Sequence, residues 1–300
     1  MWGHSTFMRN FTWRNEESLW IDSIDKYPNL FRAHHNLGKY YTEHNQDEKA
    51  IAEYKKALEL NEIHLKGERS LSYYNLGFMY GKKKEYEKAK GCYLNALKLY
   101  PQFSDVHINL ASLFADNPNN QAYVYDNLKK AIQYNPKSTQ AHSSMGFLLA
   151  KMGKFDEAIG ALNKALQIAP DNVPALERLG FAYREKGEMG KAFTYFAKAL
   201  KQKPPDIRAI LLLAEVYLII GEENKAKNIL SQAINSSKAK VFLSFIEQIV
   251  EDDNILQIRP DMDVILKLLS QVYKEKGAMF KKNSEYCLNM MKRKDNKKGR

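Results

Sequence analysis

One short pattern recurs six times along the chain and restricts the fold more than any other feature. A small residue stands at Gly38, Gly77, Ala111, Gly146, Gly180 and Ala214, at intervals of 39, 34, 35, 34 and 34 residues. Three residues after each come Tyr41, Tyr80, Phe114, Leu149, Tyr183 and Tyr217. A second run follows, with Ala50, Ala89, Val124, Ala158, Ala192 and Ala226, then Tyr54, Tyr93, Leu128, Leu162, Phe196 and Leu230. Ala57, Ala96, Ala131, Ala165, Ala199 and Ala233 come next, and Pro101, Pro136, Pro170 and Pro204 close four of the units. Repetition at this period marks an array of one supersecondary unit.

The residue types give each unit a mechanical reading. Two apolar runs at helical spacing are separated by a polar turn, such as Lys151-Met152-Gly153-Lys154 or Glu185-Lys186-Gly187-Glu188. Small residues let two antiparallel helices approach closely, and the aromatic residues fill the space around that contact. Proline after the second helix stops it and turns the chain. One helix pair cannot bury its apolar face alone, so the core is continuous across stacked neighbours.

At this point the chain resembles the tetratricopeptide repeat (TPR) family. Leu37-Gly38-Lys39-Tyr40-Tyr41, Leu76-Gly77-Phe78-Met79-Tyr80 and Leu179-Gly180-Phe181-Ala182-Tyr183 match its first helix, and Lys49-Ala50, Tyr54 and Lys56-Ala57-Leu58 its second. The resemblance implies an all-α fold, a right-handed superhelical solenoid of antiparallel helix pairs, here with about sixteen helices. Six units are expected at 31–69, 70–103, 104–138, 139–172, 173–206 and 207–238. The first has five extra residues around Asn61 to Ser70, which predicts a longer second helix. Residues 1–30 form an N-terminal segment with a capping helix over Glu16 to Lys26. Residues 239–292 form a C-terminal cap: an extra helix over Lys240 to Val250, then a degenerate seventh pair holding Leu269 and Tyr273. Residues 293–300 are expected to be a basic disordered tail.

The family's first helices line the inner wall of the solenoid, which the resemblance implies binds a protein or an extended peptide. Asn36, Asn75 and Asn109 hold one position on that wall, followed in later units by Ser144, Arg178 and Leu212. An asparagine both donates and accepts, so three in register could grip a peptide backbone whatever its side chains. This resembles the asparagine ladder of O-GlcNAc transferases, although asparagine before Leu-Gly is also common in such repeats. Other wall positions are Arg32, His35 and Lys39, then Leu71, Tyr74 and Phe78, then Phe147 and Lys151, then Glu177, Phe181 and Arg184. Aromatic anchors with polar neighbours suit a protein partner. Phe78, Phe147 and Phe181 equally suit packing between adjacent first helices. His35 and Lys39 depart from the charge clamp of chaperone-tail-binding TPR domains.

No catalytic, cofactor or metal motif accompanies the repeat. Phosphate-loop glycines, Cys-x-x-Cys, His-Glu-x-x-His and Gly-x-Ser-x-Gly are missing from the sequence. His34, His107 and His142 share the fourth position of their units, where packing residues belong. Asp47-Glu48 and Asp156-Glu157 start second helices, where carboxylates favour the helix dipole. Two cysteines, Cys92 and Cys287, are expected to be free thiols. The reading is therefore a non-catalytic interaction scaffold with no cofactor, and its oligomeric state is left open.

The net charge of +11 raises a nucleic-acid or anionic-surface alternative. From Lys274 onward there are ten basic and three acidic residues, so +7 of the +11 belongs to the C-terminal end. A solvated terminus explains that better than a nucleic-acid contact. Neither a signal sequence nor a membrane span is present in the sequence, which makes the cytoplasm the default compartment. A second resemblance qualifies that default. Arg9-Asn10-Phe11-Thr12-Trp13, Ser18-Leu19-Trp20-Ile21-Asp22 and Pro28-Asn29-Leu30-Phe31-Arg32-Ala33 are similar to the junction preceding the TPR tail of bacterial multi-pass membrane proteins related to protein O-mannosyltransferases. It implies an accessory domain in a membrane protein complex, on the exported face of the inner membrane, as the alternative.

Overall fold

A computed structural model of the chain describes residues 16–60, 64–115, 117–201, 207–236, 243–244, 246, 261–276 and 281–298. Among the described residues there are fifteen α-helices and no strand. Two compact units divide them. The first holds α1 (Glu16–Lys26), α2 (Phe31–Glu43), α3 (Asp47–Glu59), α4 (Lys66–Lys82), α5 (Tyr86–Leu99), α6 (Ser104–Phe114) and the end of α7 (Gln121–Tyr134). The second holds the start of α7, then α8 (Thr139–Lys151), α9 (Phe155–Ile168), α10 (Val173–Glu185), α11 (Met189–Leu200), α12 (Ile207–Ile219), α13 (Glu223–Ser236), α14 (Met262–Glu275) and α15 (Lys281–Lys298).

Each helix pair closes on a small residue. A Cβ added to Gly146 would lie 2.5 Å from Leu162 Cγ, and one added to Gly180 would lie 2.6 Å from Phe196 Cε1. Gly38 and Gly77 meet the rings of Tyr54 and Tyr93 in the same way. In all four cases the neighbour stands sixteen residues later, so one contact is repeated unit by unit. The ring or branched side chain lies over the bare backbone, and Tyr54, Tyr93, Leu162 and Phe196 are buried as a result. Fully burying such a side chain stabilises the fold by about 1.5–3 kcal/mol.

The turn between paired helices is also repeated. In five units the first helix ends with two reverse hydrogen bonds, for example Gly153 N–H to Ala150 O (3.0 Å) and Lys154 N–H to Leu149 O (2.9 Å). The residue between has a left-handed backbone: Asn45, Lys84, Gly153, Gly187 and Gly221, with φ from 55° to 85°. This is the helix-terminating geometry that glycine adopts most easily. Lys84 is the one long side chain forced into it.

The five extra residues of the first unit do not lengthen its second helix, contrary to the sequence expectation. α3 ends at Glu59, and α4 begins early, at Lys66. The cause is Arg69, whose guanidinium donates to the carbonyls of Leu58 and Leu60. These carbonyls have no partner within α3 once it stops, and a cation there satisfies them and the helix dipole. The added residues therefore extend the next first helix by a turn.

Hydroxyls near the start of a first helix tie it to the end of its own second helix. Ser70 Oγ donates to Ala96 O and Ser104 Oγ to Ala131 O, each at 3.0 Å. Asn172 and Ser138 cap the N-termini of α10 and α8 through the amides of Ala175 and Ala141. At the C-terminal end α14 and α15 pair through Ser270 and Ser284, whose hydroxyls lie 2.8 Å apart. Leu269 and Tyr273 are buried there with Cys287 and Met290. α15 continues beyond residue 292, where the tail was expected to begin, to Lys298. The expected helix over 240–250 and the junction residues Arg9 to Trp13 lie mostly or wholly outside the described residues.

Candidate functional site

In the first unit, α2, α4 and α6 present equivalent stripes of side chains. Along α2 these are Arg32, Asn36, Lys39 and Glu43; along α4, Leu71, Asn75, Phe78 and Lys82; along α6, Asp105, Asn109 and Ser112. The i, i+4, i+7 spacing keeps each stripe within an arc of roughly 60° on its helix. Asn36, Asn75 and Asn109 are all half-buried, as a wall position requires.

One of the three asparagines is held by a tyrosine of the preceding second helix, and a second stands near one. The Asn109 Nδ2 donates to Tyr93 Oη at 3.3 Å, while Tyr54 Oη lies 3.2 Å from Thr42 Oγ1 with Asn75 near enough to influence it. Asn109 also engages Tyr74. Burial pushes the Tyr54, Tyr74 and Tyr93 hydroxyls above their ordinary pKa, and the asparagine amides oppose that shift. The tyrosines therefore stay protonated, and Tyr93 fixes the Asn109 amide through its nitrogen, which leaves the Asn109 carbonyl oxygen for a further bond. Sequence reasoning missed this pairing, although the chain records it. Tyr54 and Tyr93 precede Asn75 and Asn109, whereas Leu128, Leu162 and Phe196 precede Ser144, Arg178 and Leu212.

The basic residues on this wall, Arg32, Lys39 and Lys82, are already paired. Arg32 makes a two-pronged contact with Glu68, with Nη2 at 2.7 Å from Oε1. Lys82 Nζ is 2.8 Å from Asp47, and Lys39 is 3.7 Å from Glu43. Between them Phe78 is 44% and Leu71 40% exposed, a large apolar surface to leave in water. Tyr74 stacks on Phe103, just before α6, with centroids 5.1 Å apart.

Several expected wall residues are placed elsewhere. His35 is buried: Nδ1 lies 2.7 Å from Ser72 Oγ and the ring stacks on Phe31. Burial lowers its pKa, with Glu68 opposing and Lys39 adding to the shift, so the imidazole is neutral. A bulky ring between α2 and α4 fills core volume and is closed to a ligand.

In the second unit Phe147 and Phe181 are buried against one another, centroids 5.5 Å apart. Packing between first helices thus accounts for both. Lys151 lies over both rings, Arg178 over Phe147 and Arg184 over Phe181, at 4.9–5.6 Å. Arg178 donates to Ser143 Oγ at 2.8 Å, and Arg184 pairs with Glu215. These cations brace the helices, and only Lys151 is well exposed.

The recurring histidines have a structural explanation. His34 Nε2 bonds the Pro28 carbonyl at 2.9 Å and His107 Nε2 the Pro101 carbonyl at 3.2 Å, each six residues back. His34 Nδ1 also meets Glu53 at 2.7 Å. Among the described residues no cluster of three or more His, Cys, Asp or Glu is arranged to hold a metal ion. Asp47, Glu48 and Asp156 pair with Lys82, Lys83 and Lys186 of the following turns. Among the described residues no helix is long and apolar enough to cross a membrane.

Stacked antiparallel pairs, a glycine-closed crossing and a wall of first helices define a tetratricopeptide-type α-solenoid, a protein-interaction scaffold. The chain belongs to the family described as the cilia and flagella-associated protein 70 C-terminal domain, which matches residues 22–242. Human protein O-mannosyl-transferase TMTC3 is 26% identical over 163 residues, covering 50% of this chain. That match spans 17% of the length of the human protein. Among solved structures, the type IV pilus biogenesis factor PilW is similar with a TM-score of 0.61 and 21% identity, over 69% of this chain and 95% of that one. A tetratricopeptide repeat protein from Parabacteroides merdae is similar with a TM-score of 0.59 and 15% identity, over 88% of this chain and 98% of that one. Both likenesses concern the fold.

Proposed function

We propose that the chain is a non-catalytic scaffold that holds an extended peptide segment of a protein partner on the wall formed by α2, α4 and α6. The observation that supports this reading is the register of Asn36, Asn75 and Asn109, with the Asn109 amide fixed by Tyr93. A side chain fixed before binding loses less entropy when it binds. Affinity capture with the chain and with an Asn36→Ala, Asn75→Ala, Asn109→Ala variant tests it. Partners retained by the first and lost by the second, at unchanged helicity, support the wall; an unchanged set of partners rejects it.

A second reading is an accessory domain that presents acceptors to a membrane glycosyltransferase. The observation that favours it is the match over half of the chain to the human O-mannosyl-transferase. Reading the coding region around this segment tests it. A continuous upstream frame with membrane spans supports the accessory role, and a separate open frame opposes it. The basic C-terminal residues offer no further support for a nucleic-acid partner, because their side chains from residue 291 onward lie outside the described ones.

A further inference from the structure

The proposed wall carries a bias toward one class of peptide, and this deepens the reading above. Leu71 and Phe78 lie on the same stripe of α4 as Asn75, one on each side of it, and both are well exposed. The equivalent positions are polar on the flanking helices: Arg32 and Lys39 on α2, Asp105 and Ser112 on α6. An apolar bracket therefore stands only on the middle helix. Its charged neighbours Arg32, Lys39 and Lys82 already have carboxylates at 2.7–3.7 Å. A charged ligand side chain at the centre would have to compete with those pairs, whereas an uncharged one leaves them intact.

Adjacent packed helices lie about 8–10 Å apart. An extended chain advances about 3.3 Å per residue, so successive asparagines would meet its backbone about every third residue. A backbone crossing Asn75 projects successive side chains to opposite sides, toward Leu71 and toward Phe78. We infer that the ligand is an extended, centrally uncharged segment of about seven residues. Its two middle side chains are adjacent, apolar and covered by Leu71 and Phe78.

Fluorescence polarisation of the full chain with labelled seven-residue peptide pools tests this. Each pool has a Gly/Ser background and one central pair: Leu-Phe and its apolar relatives, Asp-Asp, Lys-Lys or Ser-Ser. The apolar-centred pool should bind about tenfold tighter than the others, as expected for covering one large apolar side chain. Leu71→Ser and Phe78→Ser should each remove most of that preference while lowering the melting temperature by only a few degrees, since each side chain is partly covered but outside the core. Asn36→Ala should weaken every pool by a similar factor. Equal binding of all pools that still depends on Asn36 would overturn the apolar bracket while keeping the wall. Tighter binding of the Asp-Asp or Lys-Lys pool, or an apolar preference that survives both serine variants, would also overturn it. Binding of no pool would sink both.

Discussion

Gly180 and Phe196 leave no room for a side chain between them: a Cβ on Gly180 would stand 2.6 Å from the Phe196 ring. Phe196 is fully buried and cannot retreat into solvent. Gly180→Leu is therefore expected to destabilise the second unit by about 3 kcal/mol or more. Gly180→Leu, Phe196→Ala should recover part of the loss by vacating the ring's volume. Thermal denaturation followed by circular dichroism measures both, and an unaltered melting curve for the single variant would contradict the close approach.

Lys84 is the opposite case, a position that asks for glycine and has none. Its φ of 60° matches Gly153, Gly187 and Gly221 in the equivalent turns. A long side chain in the left-handed region costs about 1–2 kcal/mol, part of which glycine's greater chain entropy offsets. Lys84→Gly is expected to stabilise the first unit by about 1 kcal/mol, seen as a raised urea midpoint with an unchanged slope.

Gly91 in α5 and Gly160 in α9 face open space, with nothing within 4 Å of an added Cβ. Neither has the close neighbour that explains Gly38 or Gly146. Glycine inside a helix costs about 1 kcal/mol relative to alanine. Gly91→Ala and Gly160→Ala should each stabilise by that order, additively, because the two sites lie in separate units.

His35 gives the first unit a defined pH response. Its folded-state pKa is held below the ordinary value, first by burial, with Glu68 opposing and Lys39 assisting. The unfolded chain then binds the proton more readily, so the stability from a neutral His35 is fully present above about pH 6.5. It is lost as pH falls from there through the folded-state value. His35→Gln should flatten the pH profile of the melting temperature in that window, above the range where carboxylates such as Glu68 titrate. A slope unchanged by the variant would show that other groups produce it.

The helix pairs, their polarity and the glycine crossings were legible from the chain because each rests on contacts repeated at a fixed spacing. Lysine and tyrosine repeat similarly. Lys49, Lys88 and Lys191 lie over the rings of Tyr41, Tyr80 and Tyr183, and the fourth unit replaces both partners, with Leu149 and Glu157. The end of α3 was not legible, because it depends on Arg69 reaching back to the Leu58 and Leu60 carbonyls across an irregular insertion. The wall was legible in part. Periodicity identifies which residues share a stripe, but not which are covered by the next helix. His35, Phe147 and Phe181 are covered; Leu71 and Phe78 are open.

The most direct measurement is isothermal titration of the chain with the apolar-centred peptide pool, repeated for Asn36→Ala and for Tyr93→Phe. Asn36 contributes to the wall without a tyrosine contact to a described residue, so its loss should weaken binding at an unchanged melting temperature. Tyr93→Phe releases the Asn109 amide from its 3.3 Å bond and should weaken binding with a less favourable entropy. Affinity and entropy identical to the parent chain in both variants would contradict a peptide held by the asparagines of α2, α4 and α6.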